Sequence, residues 1–256
     1  MTGNITVVKY IYKYQTLKQA KRIIFKNELF FASPDQFNDP FDCSTAFSVA
    51  DCDEDDFIRH CEKMVSRAEK DGLNLPKSFM YNGRLADREL QKEMIHDFEN
   101  ALRSVNSKLG VLCLSEVPDD ILMWSHYSNS HQGVVLEFNK EGLEAHYGYC
   151  ERVDYKDRMV TLKEYNEINS LSESARLFLL RKSTHWKYER EWRVIRTRSN
   201  IYEKFPLDIL KGIILGCQMS ETDKIVIQKW LKKAKIDIKV SQAVRSDSEY
   251  SVKIVP

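Results

Sequence analysis

The sequence predicts an α+β fold of mixed, largely antiparallel sheets with flanking helices, and three observations carry that prediction. Short apolar runs bounded by turn formers read as strands: VLCLS at 111–115, GVVLEF at 133–138, EWRVIRTR at 191–198 and GIILG at 212–216. Segments with apolar residues at helical spacing stand between and before them. One long helical block, at about 51–109, interrupts the strands instead of alternating with them, which argues against a regular succession of strand-helix-strand crossovers.

From the N-terminus, Ile5–Tyr14 is rich in β-formers. Thr16 then offers an N-cap with Gln19 three residues on, a capping box, and Leu17, Ala20 and Ile24 give the helix one apolar face. A short strand at Leu29–Ala32 runs into SPDQFNDPFD, where Pro34, Asn38, Asp39 and Pro40 are turn formers that cannot extend a sheet. In the insertion, Phe57, Cys61, Met64 and Ala68 lie at helical spacing; Gly72 to Gly83 breaks the pattern, and Ala86, Leu90, Met94, Phe98 and Leu102 resume it until Gly110. Ser170–Lys182 reads as an amphipathic helix carrying Leu171, Ala175, Phe178 and Leu179. The segment 210–256 reads as a strand-helix-strand unit, with GIILG, a helix from Glu221 to Ala234, and IDIKV at 236–240. All 256 residues are expected to form a single domain.

Composition narrows the function classes. Hydrophobic residues at 43% and charged residues at 30% are those of a folded globular chain. A net charge of +1 leaves room for a basic nucleic-acid surface only as a local patch such as Lys229–Lys235, which reads first as the solvated face of a helix. The six cysteines, at 43, 52, 61, 113, 150 and 217, show no CxxC spacing and are expected to be free thiols. With no apolar run of membrane-spanning length and no signal-peptide pattern at the start, a cytoplasmic location with no membrane association is expected.

Three polar-aromatic segments carry the candidate chemistry. Asn38–Asp42 would present amide and carboxylate groups at the end of a strand, or form a structural Asx turn. The stretch MWSHYSNSHQG supplies Trp124, Ser125, His126, Tyr127 and His131, two stacking surfaces and two groups that titrate near neutrality. That combination suits a nucleobase or a nicotinamide ring, or else a packed aromatic turn. His126 and His131 are five residues apart, which does not put both on one helical face, so no metal site is expected. In Lys182–Arg193, alternation within a strand would put Glu189, Glu191 and Arg193 on one face and Arg190 and Trp192 on the other. Such a cluster serves acid–base work or the stabilisation of a cation, or is an exposed salt-bridge ladder.

The ordered set formed by YKY near the start, LFFASPDQFNDPFD, VLCLSEVPDDILMWSHYSNSHQGVVLEF, HWKYEREWRVI and LKGIILG resembles the bacterial family known as domain of unknown function 2971, over roughly residues 8 to 218. That resemblance implies no activity. At the level of fold the chain also resembles ADP-ribosyltransferases: a first strand with Tyr12, Lys13 and Tyr14, a helix at 16–27, a strand at 29–32, an aromatic segment at Trp124–Tyr127 and a later Glu189-x-Glu191 fall in that family's order.

The resemblance implies an NAD-consuming enzyme, an ADP-ribosyltransferase or NAD glycohydrolase, in bacterial defence or toxin systems. NAD would be substrate and a macromolecule the acceptor. Glu191 would stabilise the ribosyl cation and Glu189 orient or deprotonate the acceptor. His126 or Tyr127 would stack on or bond the nicotinamide, and Lys13 or Arg193 would neutralise phosphate. The wider NAD-binding set comprises Tyr12, Tyr14, Asn38, Asp39, Trp124, Ser125, His131 and Lys182. Two other readings stand beside it: a nucleotide or nucleic-acid hydrolase using Asp39, His126 and Glu191, and a non-catalytic sensor or partner-binding module. The three segments are expected to converge around one cleft.

Overall fold

The computed structural model describes residues 8–48, 53–70 and 88–256. In chain order these form β1 (Tyr10–Gln15), α1 (Leu17–Lys26), β2 (Glu28–Phe31), β3 (Phe47–Ser48), α2 (Glu54–Lys70), α3 (Arg88–Asn106), β4 (Gly110–Ser115) and α4 (Ile121–Tyr127). There follow β5 (Val134–Asn139), α5 (Lys140–Tyr147), β6 (Cys150–Arg152), β7 (Asp154–Lys156), β8 (Val160–Thr161), α6 (Leu162–Asn166), α7 (Leu171–Leu179) and β9 (Arg181–Ser183). The chain closes with β10 (Glu191–Arg196), β11 (Ile201–Lys204), β12 (Leu210–Leu215), α8 (Glu221–Ala234), β13 (Lys239–Arg245) and β14 (Val252–Val255). The fold is α+β, as the sequence predicts. The predicted break at Gly72–Gly83, Ala86, Cys52 and Ile5 lie outside the described residues, as do the side chains of Met64, Ala68, Leu90 and Leu171.

Two compact units emerge. The first comprises the chain up to Ala32, Gly110–Val153 and His185–Pro256, and the second Ser33–Leu109 and Asp154–Thr184.

The first unit is built on an eight-stranded sheet in the order β14-β13-β12-β5-β1-β4-β10-β6, antiparallel except for the parallel β12–β13 pair. That exception follows from α8, whose length is needed to cross from one parallel strand to the next. Side-chain alternation gives the sheet two different faces. Ile11, Leu112, Leu114, Leu136, Phe138 and Val194 join Ala20, Ile23 and Ile24 of α1 and Ile227 and Leu231 of α8 in the main core. Tyr14, Val135 and Ile214 pack with Met123 and Trp124 of α4. α1 starts as expected: Thr16 and Gln19 form the reciprocal capping box, and Asn27 closes the helix in a left-handed conformation.

The second unit gathers Phe47, Phe57, Cys61, Leu102, Val160, Leu162, Tyr165 and Phe178 into a separate core. Two short parallel pairs, β3–β8 and β7–β9, tie its segments together.

Three boundaries differ from the sequence reading, each because a backbone group finds a better local partner. The helix expected to reach Lys182 stops at Leu179, and Arg181–Ser183 instead pairs with β7, Lys182 opposite Tyr155. The strand expected at 236–240 begins at Lys239, because Lys235 turns left-handed and Ile236 donates back to the Leu231 carbonyl to cap α8. Glu189 is not in the strand with Glu191: Thr184–Glu189 is a 3₁₀ turn, Arg190 has φ of 45°, and β10 starts at Glu191. The Ser115 hydroxyl holds the Glu189 carbonyl at 2.7 Å, which fixes that turn.

The described cysteines, 43, 61, 113, 150 and 217, are free thiols. Burial pushes Cys61 up to about 11 and Cys150 up to about 12, and raises Cys113 as well. A thiol with a raised pKa stays protonated, and therefore unreactive, until the pH approaches that value. Maleimide labelling of native protein at about pH 8, mapped by peptide mass spectrometry, should leave the buried Cys61 and Cys150 unmodified, and the same labelling in denaturant should modify both. Rapid native labelling of Cys150 would contradict its placement in the main core.

Candidate functional site

The polar centre of the first unit is set by strand register. Tyr12 of β1 stands opposite Glu137 of β5 and Ser115 of β4, and Ser115 stands opposite Glu191 of β10, so these four residues form one row across the sheet. Next to it, Arg193 pairs with Cys113. The apolar neighbours in the same strands, Leu112, Leu114, Trp192 and Val194, turn to the other face. The polar row therefore lies on the face that also carries Tyr14, Trp124 and Tyr127.

Arg193 is fully buried and Glu191 5% exposed, and they bond in a two-pronged pair: Nε donates to Oε1 at 2.8 Å and Nη2 to Oε2 at 2.9 Å. Matching fork geometry is what allows two charges to leave water together. Glu189, 2% exposed, accepts a hydrogen bond from the Tyr127 hydroxyl at 2.7 Å. That bond joins the segments 124–133 and 182–193. Lys13 donates its Nζ to the Cys113 carbonyl at 2.6 Å; burial lowers its pKa, and attraction to Cys113, Glu191 and Glu189 opposes that shift. Tyr12 is pushed up to about 12, by burial first and then by the charge and hydrogen bond of Glu137.

α4 and the turn after it position the aromatic groups. Asp120 caps the helix by accepting from the Leu122 and Met123 amides. Trp124 is wholly buried, donates Nε1 to the Pro118 carbonyl at 2.9 Å, and meets Tyr14 edge to face at 5.4 Å. Tyr14 itself donates to the Val117 carbonyl. Three successive residues, Asn129, Ser130 and His131, have φ of 50°, 52° and 66°, a conformation that side chains larger than glycine adopt at a cost of order 1–3 kcal/mol each. The turn returns the His131 ring to stack parallel on Trp124, with Nδ1 3.7 Å from the Cys217 sulfur. Gly133 ends it because a Cβ there would lie 2.3 Å from the Gln15 carbonyl oxygen. His126 and Ser125 are exposed, and the His126 ring lies 6.1 Å from that of Tyr127 and 6.2 Å from that of Trp186.

The remaining predicted residues belong to the second unit. Asp39 accepts from the Phe41 amide at 2.9 Å, an Asx turn, and lines a cavity of about 210 Å³ with Asp42, Arg103 and Asn106; Asn38 is exposed. Lys182 is 6% exposed and pairs with the equally enclosed Asp42 at 3.2 Å. Among the described residues no group of three or more His, Cys, Asp and Glu side chains is arranged to hold a metal ion.

The sequence reading passed over Cys113, Ser115 and Glu137. All three are the polar positions of otherwise apolar strands, VLCLS and VVLEFN, and that interruption was the available signal.

Residues 123–194, from Met123 to Val194 within β10, match the family described as protein of unknown function (DUF2971). The similarity inferred from the motifs is therefore shown over that stretch, which includes Tyr127, Glu189, Glu191 and Arg193. No curated protein matches the chain. No solved structure matches it either.

The Glu191–Arg193 pair predicts a stability effect. Glu191→Gln breaks the buried two-pronged pair with Arg193, a loss of about 3–5 kcal/mol. Calorimetry should show a markedly lower melting temperature; an unchanged one would mean that the pair is solvated.

Proposed function

We propose that the first unit consumes NAD, transferring ADP-ribose to a macromolecule or hydrolysing the dinucleotide. The observation that carries this reading is the joining of a buried carboxylate in the turn before β10 to the aromatic helix: Glu189 to Tyr127, beside the Glu191–Arg193 pair. Buried charge is costly, and clusters of it concentrate at sites of function.

The chemistry asks for such a cluster. When the bond between the ribose C1′ and the nicotinamide nitrogen breaks, the electron pair leaves with nicotinamide and positive charge develops on the ribose. Fixed negative charge nearby lowers that barrier without reorganisation. Arg193 holds the Glu191 carboxylate in place through two hydrogen bonds, and the Tyr127 hydroxyl orients Glu189. An acceptor hydroxyl then bonds to C1′ and gives its proton to a carboxylate or to water. The exposed His126 ring and the half-buried Trp186 ring beside it supply stacking surface for a base or nicotinamide. The same reading makes the chain a cytoplasmic protein acting on a small nucleotide, supported by thiols that are free among the described residues.

Glu189 offers the cleaner test, because a change at Glu191 also breaks its two-pronged pair with Arg193. Glu189→Gln keeps an acceptor for Tyr127 and removes the charge. Nicotinamide release from NAD, followed by chromatography, should fall on the order of a hundredfold with the fold retained. Equal release by wild type and variant, or none by wild type, would overturn the proposal.

A further inference from the structure

On the opposite face of the sheet from Tyr12 and Glu191, α1 and α8 border an open groove of about 510 Å³ lined by Lys18, Lys21, Arg22, Phe25, Lys26, Trp230 and Lys233. Five of these seven side chains are cationic and none is acidic. Lys18, Lys21, Lys26 and Lys233 are exposed, whereas Arg22 is already paired with Glu28 at 2.8 Å. The other two are aromatic. Phe25 is 39% exposed, meets Trp230 edge to face at 6.3 Å, and Lys21 sits over the Trp230 ring at 5.6 Å.

In a chain of net charge +1, this concentration of cations is a local asymmetry. α1 carries no acid in its first turn, and the acids in the first turn of α8, Glu221 and Asp223, lie at the end of that helix away from Lys233. The core beneath is filled by Ala20, Ile23, Ile24, Ile227 and Leu231, with the half-buried Trp230 packed against it, while Phe25 and the lysines lie outside it.

We infer that this groove binds single-stranded nucleic acid. A positively charged track with interleaved aromatic faces is the arrangement that holds an unpaired strand, lysines meeting phosphates and rings stacking on exposed bases. An acidic peptide would satisfy the lysines and leave both rings without a planar partner, and a duplex would keep its bases out of reach of them. The inference stands apart from the NAD reading, since no residue of the groove belongs to that site.

Fluorescence anisotropy of a labelled thymidine oligonucleotide titrated with the full chain, between about 50 and 200 mM salt, tests it. Wild type should bind at low salt and lose affinity steeply as salt rises. Lys21→Gln with Lys233→Gln, both at exposed positions, should weaken low-salt binding about tenfold or more and flatten the log–log salt slope by about 1.4, the share of two phosphate contacts. Phe25→Ala should weaken binding about fivefold or more with the slope unchanged. Circular dichroism melting of each variant confirms that it is folded. Absence of binding at low salt, unaltered affinity in the folded variants, or competition by polyglutamate or duplex as effective as by unlabelled oligonucleotide would each overturn the assignment.

Discussion

Two opposite charges sealed inside a sheet impose the organising constraint on the first unit. Glu191 and Arg193 are almost without solvent, and the two-pronged pair between them replaces water with two charge-assisted hydrogen bonds. That requirement fixes the facing of β10: with Glu191 and Arg193 on one side, Trp192 and Val194 must point into the apolar core. It fixes β4 in turn, because Cys113 and Ser115 pair with them and Leu112 and Leu114 then turn inward. Register is strongly specified when a slip of one residue would carry charges into the apolar core.

The same polar layer shapes the neighbouring strands. β1 pairs with β5 along its whole length, whereas its register with β4 is the single pair Tyr12–Ser115. Beyond it Tyr14 reaches for the Val117 carbonyl through its side chain, and the Lys13 ammonium group bonds the Cys113 carbonyl that a regular ladder would have given to an amide. A side chain thus replaces part of the backbone ladder where the charged groups meet. Strain collects nearby, in the left-handed backbone of Arg190 between the two glutamates and of Asn129 to His131 after α4.

Much of this was legible in the sequence because it depends on short-range rules. The Thr16–Gln19 capping box, the strands at 110–115 and 134–139 and the helix Glu221–Ala234 follow from local side-chain preference and period. The pairing of Tyr127 with Glu189 joins two segments that the sequence singled out. What the sequence concealed arises from bonds between distant residues. Ser115 captures the Glu189 carbonyl and turns a readable strand into a 3₁₀ turn, and β14 contains one buried residue, Val252, too few to make a pattern. Asn38 and Asp39 suit either a site or an Asx turn by sequence, and Asp39 forms the turn.

If the buried charges exist for function, they add little to stability that apolar groups could not supply. Replacing both members together, Glu191→Leu with Arg193→Met, tests that directly. The account predicts a melting temperature equal to or above that of wild type, together with loss of nicotinamide release from NAD. A melting temperature well below that of wild type, or release that persists in the stable double variant, would contradict it.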